Sequence, residues 1–236
     1  MCGGRGGRFG GPVLPEPGEP TGGLRHKSMT TLLGKPLLHY VVDYWRAFTD
    51  DFLFVVKQGK EEVVEFASSL PIRSRFVEPE ALRGIADGLL QAERLVGERF
   101  IVVLGDCFLK GRLSLPSAFE AGIAVLRTGD RAALQRNYAV HLAGEHVSLL
   151  EEKPRLPTTD LCGLGFYFLP RSIFECIRRT RPSARSGEVE LTDALGTLIE
   201  SGTRLSALPL DGAYVNVTVP RDLDAVRALL APGGER

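Results

Sequence analysis

Between residues 36 and 106 the chain switches back and forth between two apolar periods, and that alternation restricts its fold more than any other feature. PLLHYVVDYWRAF (36–48) opens with a proline and repeats its apolar residues at helical spacing, which predicts an amphipathic helix. DFLFVV (51–56) follows as a short, nearly unbroken apolar run, the pattern of a strand buried on both faces of a parallel sheet. A helix near 60–69, a strand near 73–77, a helix over 85–96 and the strand FIVVLGD (100–106) continue the series. Helix and strand taking turns predict right-handed βαβ units and an open, mostly parallel sheet, hence an α/β fold.

The second half reads differently. GIAVLRT, NYAVHL, VSLLEEKP and GLGFYFLP are strand-like segments, some too closely spaced for intervening helices, so part of the sheet is expected to be mixed. Helices near 172–179 and 189–201, strands near 204–208 and at AYVNV, and a closing helix over 220–230 complete the pattern. No linker divides the chain, which reads as a single domain over residues 1–236. The stretch GGPVLPEPGEPTGG (10–23) is too rich in Gly and Pro for helix or sheet and reads as a loop.

Composition removes several function classes. A 236-residue chain with 44% hydrophobic content can bury a full core. Lys plus Arg and Asp plus Glu both number 29, so no global positive field draws it to nucleic acid or to a membrane, and any anion site must be local. The four cysteines form no CxxC or Cys/His pattern, against a zinc site or a disulfide framework and in favour of reduced cytoplasmic thiols. No apolar run is long enough to span a bilayer.

Five local patterns can carry chemistry. VVLGD ends an apolar strand on Asp106, where open α/β sheets place ligands, although a turn aspartate is the plainer reading. LLEEKP ends another strand on Glu152 and Lys153; the lysine can neutralise a phosphate and the glutamate can accept from hydroxyls, or both can be a solvated strand end. The start, GGRGGR (3–8), combines glycines that let backbone amides approach an anion with Arg5 and Arg8, and Lys27 follows it; an Arg/Gly tail that binds RNA is the competing reading. SARSGEVELTDAL sets Arg185 and Glu188 before a helix, where an anion or ordinary acidic capping by Glu190 and Asp193 both fit. Asn216 closes a short strand, where its carbonyl can ligate a hard cation or hold a turn.

The order of these elements resembles the sugar-1-phosphate nucleotidyltransferases, the pyrophosphorylases that make nucleotide sugars, and especially their glucose-1-phosphate thymidylyltransferase branch. The matching motifs run in family order from Gly3 to about Val226: GGRGGR, KSMTTLLGKPLLHY, GIADGLLQA, LGD, EKP, GFYFLP, SARSGE and the strand before PRDL. The resemblance implies a Rossmann-like three-layer α/β/α nucleotide-diphospho-sugar transferase fold with a mixed, mostly parallel central sheet. It implies a cytoplasmic enzyme that takes an NTP, dTTP or UTP above others, and a sugar 1-phosphate; a homo-oligomer is compatible with it. By resemblance, Gly3, Gly4, Gly6 and Gly7 with Arg8 cradle the triphosphate, Lys27 reaches phosphate oxygens, and Gly84 and Ala86 admit the base. Asp106, with Asn216, holds Mg²⁺. Lys153 takes the sugar phosphate, Glu152 the sugar hydroxyls, Gly163 and Ala139 line that pocket, and Arg185 with Glu188 flank the phosphate.

The departures from the family pattern are specific. Asn216 stands where the thymidylyltransferase branch usually has aspartate, Gly7 where it has threonine, and Ala139 where it has glycine, while its base-reading glutamine has no clear counterpart in RFVEPEALRG. Arg8 and Lys27 are about nine residues farther apart than usual, a small cost because doubling a loop adds only about 0.6 kcal/mol. The strand that usually precedes the glycine loop at the centre of the sheet is missing from the sequence, which predicts an unpaired neighbour. Two alternatives follow: transfer to another phosphorylated acceptor such as a heptose, an amino sugar or phosphocholine, or a homologue that binds nucleotide and has lost turnover.

Overall fold

The structure is a computed structural model that describes residues 26–81 and 83–231. In chain order the elements are β1 (Thr31–Leu32), β2 (Lys35–Pro36), α1 (Leu37–Trp45), β3 (Asp51–Val55), α2 (Lys60–Ser68), β4 (Arg73–Val77), α3 (Ile85–Gln91), β5 (Arg99–Val103), β6 (Cys107–Leu113), β7 (Ala121–Arg127), α4 (Arg131–Arg136), β8 (Tyr138–Ala143), β9 (His146–Glu152), β10 (Leu161–Pro170), α5 (Ile173–Arg179), α6 (Leu191–Glu200), β11 (Leu205–Asn216) and α7 (Asp222–Leu230). Short 3₁₀ turns at Lys27–Met29 and Glu93–Leu95 complete the series. The chain divides into two compact units, one from residues 26–81, 104–110 and 213–231 and the other from 83–103 and 111–212. Strands β6 and β11 each run through both.

In the first unit β1 and β2 form a hairpin whose two-residue turn places Leu33 at φ 50° and Gly34 at φ 80°. Two consecutive positive φ values define the type I′ turn that matches strand twist. Helix α1 buries Leu37, Leu38, Val41, Val42 and Trp45, a single stripe at helical spacing. Leu32 and Leu37 join Phe108, Val217, Leu223 and Val226 in one core cluster, so the β6 start, the β11 end and α7 are fixed together. Asp222, the first residue of α7, accepts from Thr218 N at 2.8 Å and Val219 N at 2.9 Å and so folds the segment leaving β11. Strands β3 and β4 pair in parallel from Asp51↔Arg73 to Val55↔Val77, with Phe54 and Phe76 stacked at 5.5 Å.

The second unit is built on a sheet of order β5-β10-β7-β11-β9-β8, with β6 also on β11. Strand β10 is its axis: nearly every residue is covered, as its apolar sequence requires. It runs antiparallel to β5, β7 and β8, while β7 and β11 are parallel and β8 and β9 form an antiparallel hairpin. The class is α/β and the sheet is mixed. Its pairing is more antiparallel than the alternation of the first half suggests, because the closely spaced strands of the second half return on themselves.

Three local readings are corrected. The segments read as separate strands at 204–208 and AYVNV are one strand, β11, which passes through Pro209 and Gly212. Its close neighbour is β6, which the sequence did not flag: a Cβ on Gly111, at φ 117°, would lie 2.2 Å from Asp211 O, so only glycine permits that approach. Helix α4 was also unforeseen; it is short and capped by Asp130, whose Oδ1 accepts from Ala132 N at 2.8 Å. Among the described residues, no helix is long and apolar enough to cross a membrane.

Candidate functional site

In the first unit the site is assembled where β6 begins and β11 ends. Leu104 to Cys107 form a tight turn closed by Cys107 N donating to Leu104 O at 3.1 Å, and Asp106 is its third residue. Val217 N donates to Asp106 O at 2.9 Å, which ties this turn to the residue following Asn216. Asn216 Oδ1 and its carbonyl each accept from Thr218 Oγ1 at 3.4 Å. Lys27 arrives on the 3₁₀ turn, which His26 caps by accepting from Ser28 N. Its Nζ ion-pairs with Asp106 Oδ2 and donates to Val217 O at 3.3 Å.

The structure therefore brings together Lys27, Asp106 and the strand end that carries Asn216. The oxygen donors fit a hard cation, as one carboxylate and one amide carbonyl. They leave most of the cation's shell to other ligands, and no group of three or more His, Cys, Asp or Glu residues able to hold a metal occurs among the described residues. Mg²⁺ commonly takes one or two protein ligands and completes its shell with phosphate oxygens and water.

Cys107 and Tyr214 support this arrangement and were not singled out from sequence. The Cys107 thiol lies 3.0 Å from Tyr214 OH and 3.7 Å from Asp106 Oδ1. Burial, and next the Asp106 charge, push its pKa well above the usual thiol value. Cys162, in the second unit, is pushed up to about 12, mainly by burial. Because the thiolate is the nucleophile, both are expected to resist iodoacetamide at pH 8 in the folded protein and to react on denaturation. Mass spectrometry of the labelled chain checks this.

In the second unit Glu152 is the hub. Its Oε1 lies 3.2 Å from Lys153 Nζ and 3.7 Å from Arg185 NH2, and its Oε2 accepts from Thr192 Oγ1 at 3.2 Å. Arg185 also donates to Glu190 Oε1 at 2.9 Å. Glu190 precedes α6 but makes no side-chain cap bond, so the capping role open to it in the sequence is replaced by this ion pair. Lys153 adopts φ 46°, uncommon for a residue with a side chain, while its N–H donates to Asn137 O at 2.8 Å. Glu152 and Lys153 from one motif and Arg185 from another thus form one network, with Thr192 and Glu190 as additions.

The remaining predicted residues have other neighbours. Gly163 faces Tyr138: an added Cβ would lie 1.8 Å from its ring, and Tyr138 OH donates to Leu164 O at 3.0 Å. The space that glycine leaves is filled by that ring. Ala139 is wholly buried and pairs with Cys162 and Glu151, so its methyl group is packed inside the sheet. Gly84 precedes α3 at φ 93°, and a Cβ there would lie 2.7 Å from Glu188 Oε2. Glu188 is therefore packed against the Gly84 backbone, and Ala86 is buried on α3. Gly3, Gly4, Gly6, Gly7 and Arg8 lie outside the described residues.

The fold, with an acidic turn met by a lysine in one unit and a Glu/Lys/Arg network in the other, defines a class of α/β proteins with charged side chains gathered at strand ends. The comparisons narrow that class: the family model for nucleotidyl transferases matches residues 21–217, and the chain belongs to that family. It is 29% identical over 233 residues to the bifunctional protein GlmU of Methanocaldococcus jannaschii, covering 98% of this chain and 53% of the relative. The chain thus spans about half the length of that protein. It is 28% identical over 212 residues to the UTP–glucose-1-phosphate uridylyltransferase AglF of Haloferax volcanii, covering 84% of this chain and 85% of the relative. Its fold matches that of a Bacillus anthracis protein described as a glucose-1-phosphate thymidylyltransferase, with a TM-score of 0.78 at 20% identity, over 97% of this chain and 92% of the other.

Proposed function

We propose that this chain, acting as one nucleotidyltransferase domain, transfers a nucleotidyl group from an NTP, UTP or dTTP, to a sugar 1-phosphate. An oxygen of the sugar phosphate forms a bond to the α-phosphorus, the bond from that phosphorus to the bridging oxygen breaks, and pyrophosphate leaves. The observation that carries the reading is the meeting of Lys27 and Asp106 beside the end of β11 in a chain of this family.

Two polyanions must approach each other, and like unit charges at about 4 Å repel by roughly 4 kcal/mol at an effective dielectric near 20. Charge neutralisation and alignment therefore matter more than a side-chain nucleophile. A divalent cation, when bound, would neutralise charge on the triphosphate, and Asp106 and Asn216 would hold it. Lys27 takes phosphate oxygens near the reacting centre, and the glycine loop with Arg8 cradles the triphosphate. In the second unit Lys153 and Arg185 are the cations for the sugar phosphate. Glu152 and Glu190 hold them in place, and Glu152 also accepts from sugar hydroxyls. Gly84 and Ala86 serve the nucleotide through the backbone, with Glu188 holding Gly84. A cytoplasmic location belongs to the same proposal.

A panel of the common NTPs against hexose, amino-sugar and other phosphorylated acceptors, read by pyrophosphate release, tests the assignment. Release that requires both an NTP and a sugar 1-phosphate supports it. Nucleotide binding without release from any pair would favour a non-catalytic homologue.

A further inference from the structure

The carboxylate assigned to the metal already has a cation on it. Lys27 Nζ is lodged between Asp106 Oδ2 and the carbonyl oxygen of Val217, and the two charged side chains are only 19% and 22% exposed. The backbone around Lys27 is held: Met29 N donates to His26 O at 2.8 Å, Thr30 N to Lys27 O at 3.2 Å, and His26 Nδ1 lies 2.6 Å from Ser28 Oγ. Gly59 at φ 62° leaves the space that the His26 side chain uses, since a Cβ there would come within 2.9 Å of His26 Cβ. The ammonium is thus delivered to Asp106 by a braced turn.

We propose that Lys27 is an internal counter-cation for Asp106 in the nucleotide-free protein, and that a divalent cation must displace it to reach that carboxylate. A dication on Asp106 would stand within a few ångströms of the ammonium on Oδ2 and be repelled by it, while a triphosphate gives Lys27 a second anion to move to. Cation and nucleotide then enter together, and each strengthens the binding of the other. The inference rests on the proposed nucleotidyl transfer for the identity of the displacing anion, but the competition itself is measured without turnover.

The test is a Mn²⁺ titration of the full chain, read by the electron paramagnetic resonance of free Mn²⁺, with no nucleotide present. Lys27→Met is expected to bind Mn²⁺ at least about tenfold more tightly than the wild type, with that gain lost in the Lys27→Met/Asp106→Asn double variant. Adding UTP should raise Mn²⁺ affinity more in the wild type than in Lys27→Met. Lys27→Gln, a second neutral replacement, is taken through the same titration in case the methionine variant does not fold. Equal Mn²⁺ affinity in the wild type and a folded neutral variant would overturn the proposal, as would a gain that survives the loss of Asp106. Failure of the functional reading appears elsewhere, as absence of pyrophosphate release from the wild type.

Discussion

Asp106→Asn is expected to lower pyrophosphate release by on the order of 10²–10³, the size of effect seen when one group that stabilises transition-state charge is removed. The replacement keeps the shape of the side chain, so the turn from Leu104 to Cys107 and the bond from Val217 N to the Asp106 carbonyl are retained. The carboxylate charge is lost, and with it the proposed anionic ligand for the cation and the partner of Lys27. Thermal melting separates the two consequences. Turnover should fall steeply at an assay temperature below both melting transitions, so that the loss is read on folded protein whatever stability is lost with the partner of a largely covered lysine. A variant that releases pyrophosphate at the wild-type rate would remove Asp106 from the reacting centre.

Gly163→Ala is expected to have the largest effect on stability. The added methyl group would lie 1.8 Å from Cε2 and 2.1 Å from Cζ of Tyr138, so the ring must move. It is held by its hydroxyl on Leu164 O at 3.0 Å and by stacking on Tyr167 with ring centroids 6.2 Å apart. Overpacking costs about 1–3 kcal/mol, and an abandoned buried hydrogen bond costs about 1–3 kcal/mol more. At roughly 2–4 °C per kcal/mol for a chain of this size, the melting temperature should drop by about 4 °C or more. A double cycle with Tyr138→Leu checks the cause: the loss caused by Gly163→Ala should shrink when the ring is already gone. An undiminished loss would mean that Tyr138 is not the obstacle.

Much of the local structure is written in the apolar periods. The strand expected at 73–77 is β4, and the helix expected from Pro36 is α1, whose apolar stripe of Leu37, Leu38, Val41, Val42 and Trp45 is strongly periodic. The sequence concealed β6, whose CFLKGRL mixes Lys, Gly and Arg into the strand because its second half is largely exposed. It also concealed the unity of β11, since Pro209 and Gly212 read locally as breaks. Pro209 is tolerated there: its carbonyl accepts from Ser114 N at 2.8 Å, and proline has no N–H to place in a ladder.

The candidate site was legible as a set of motifs and not as a set of contacts. Asp106 and Lys153 stand at ends of apolar runs, which marks them; nothing local marks Val217 O as a partner of Lys27, or Glu190 and Thr192 as members of the Glu152 network. Those depend on where β11 and α6 are brought by packing of residues distant in sequence. Gly163 shows the same limit from the other side. Its family pattern places it by the sugar, and nothing in that pattern marks the ring of Tyr138 as the close neighbour that requires glycine.

Phosphorus NMR of the wild-type protein with Mg²⁺, UTP or dTTP, and glucose 1-phosphate tests the central claim most directly. Nucleotidyl transfer predicts the resonances of a sugar-linked diphosphate and of free pyrophosphate growing in equal amounts as those of the triphosphate and the sugar phosphate decay. Consumption of the triphosphate with the sugar 1-phosphate left intact, or no change with any nucleotide and sugar phosphate, would contradict it.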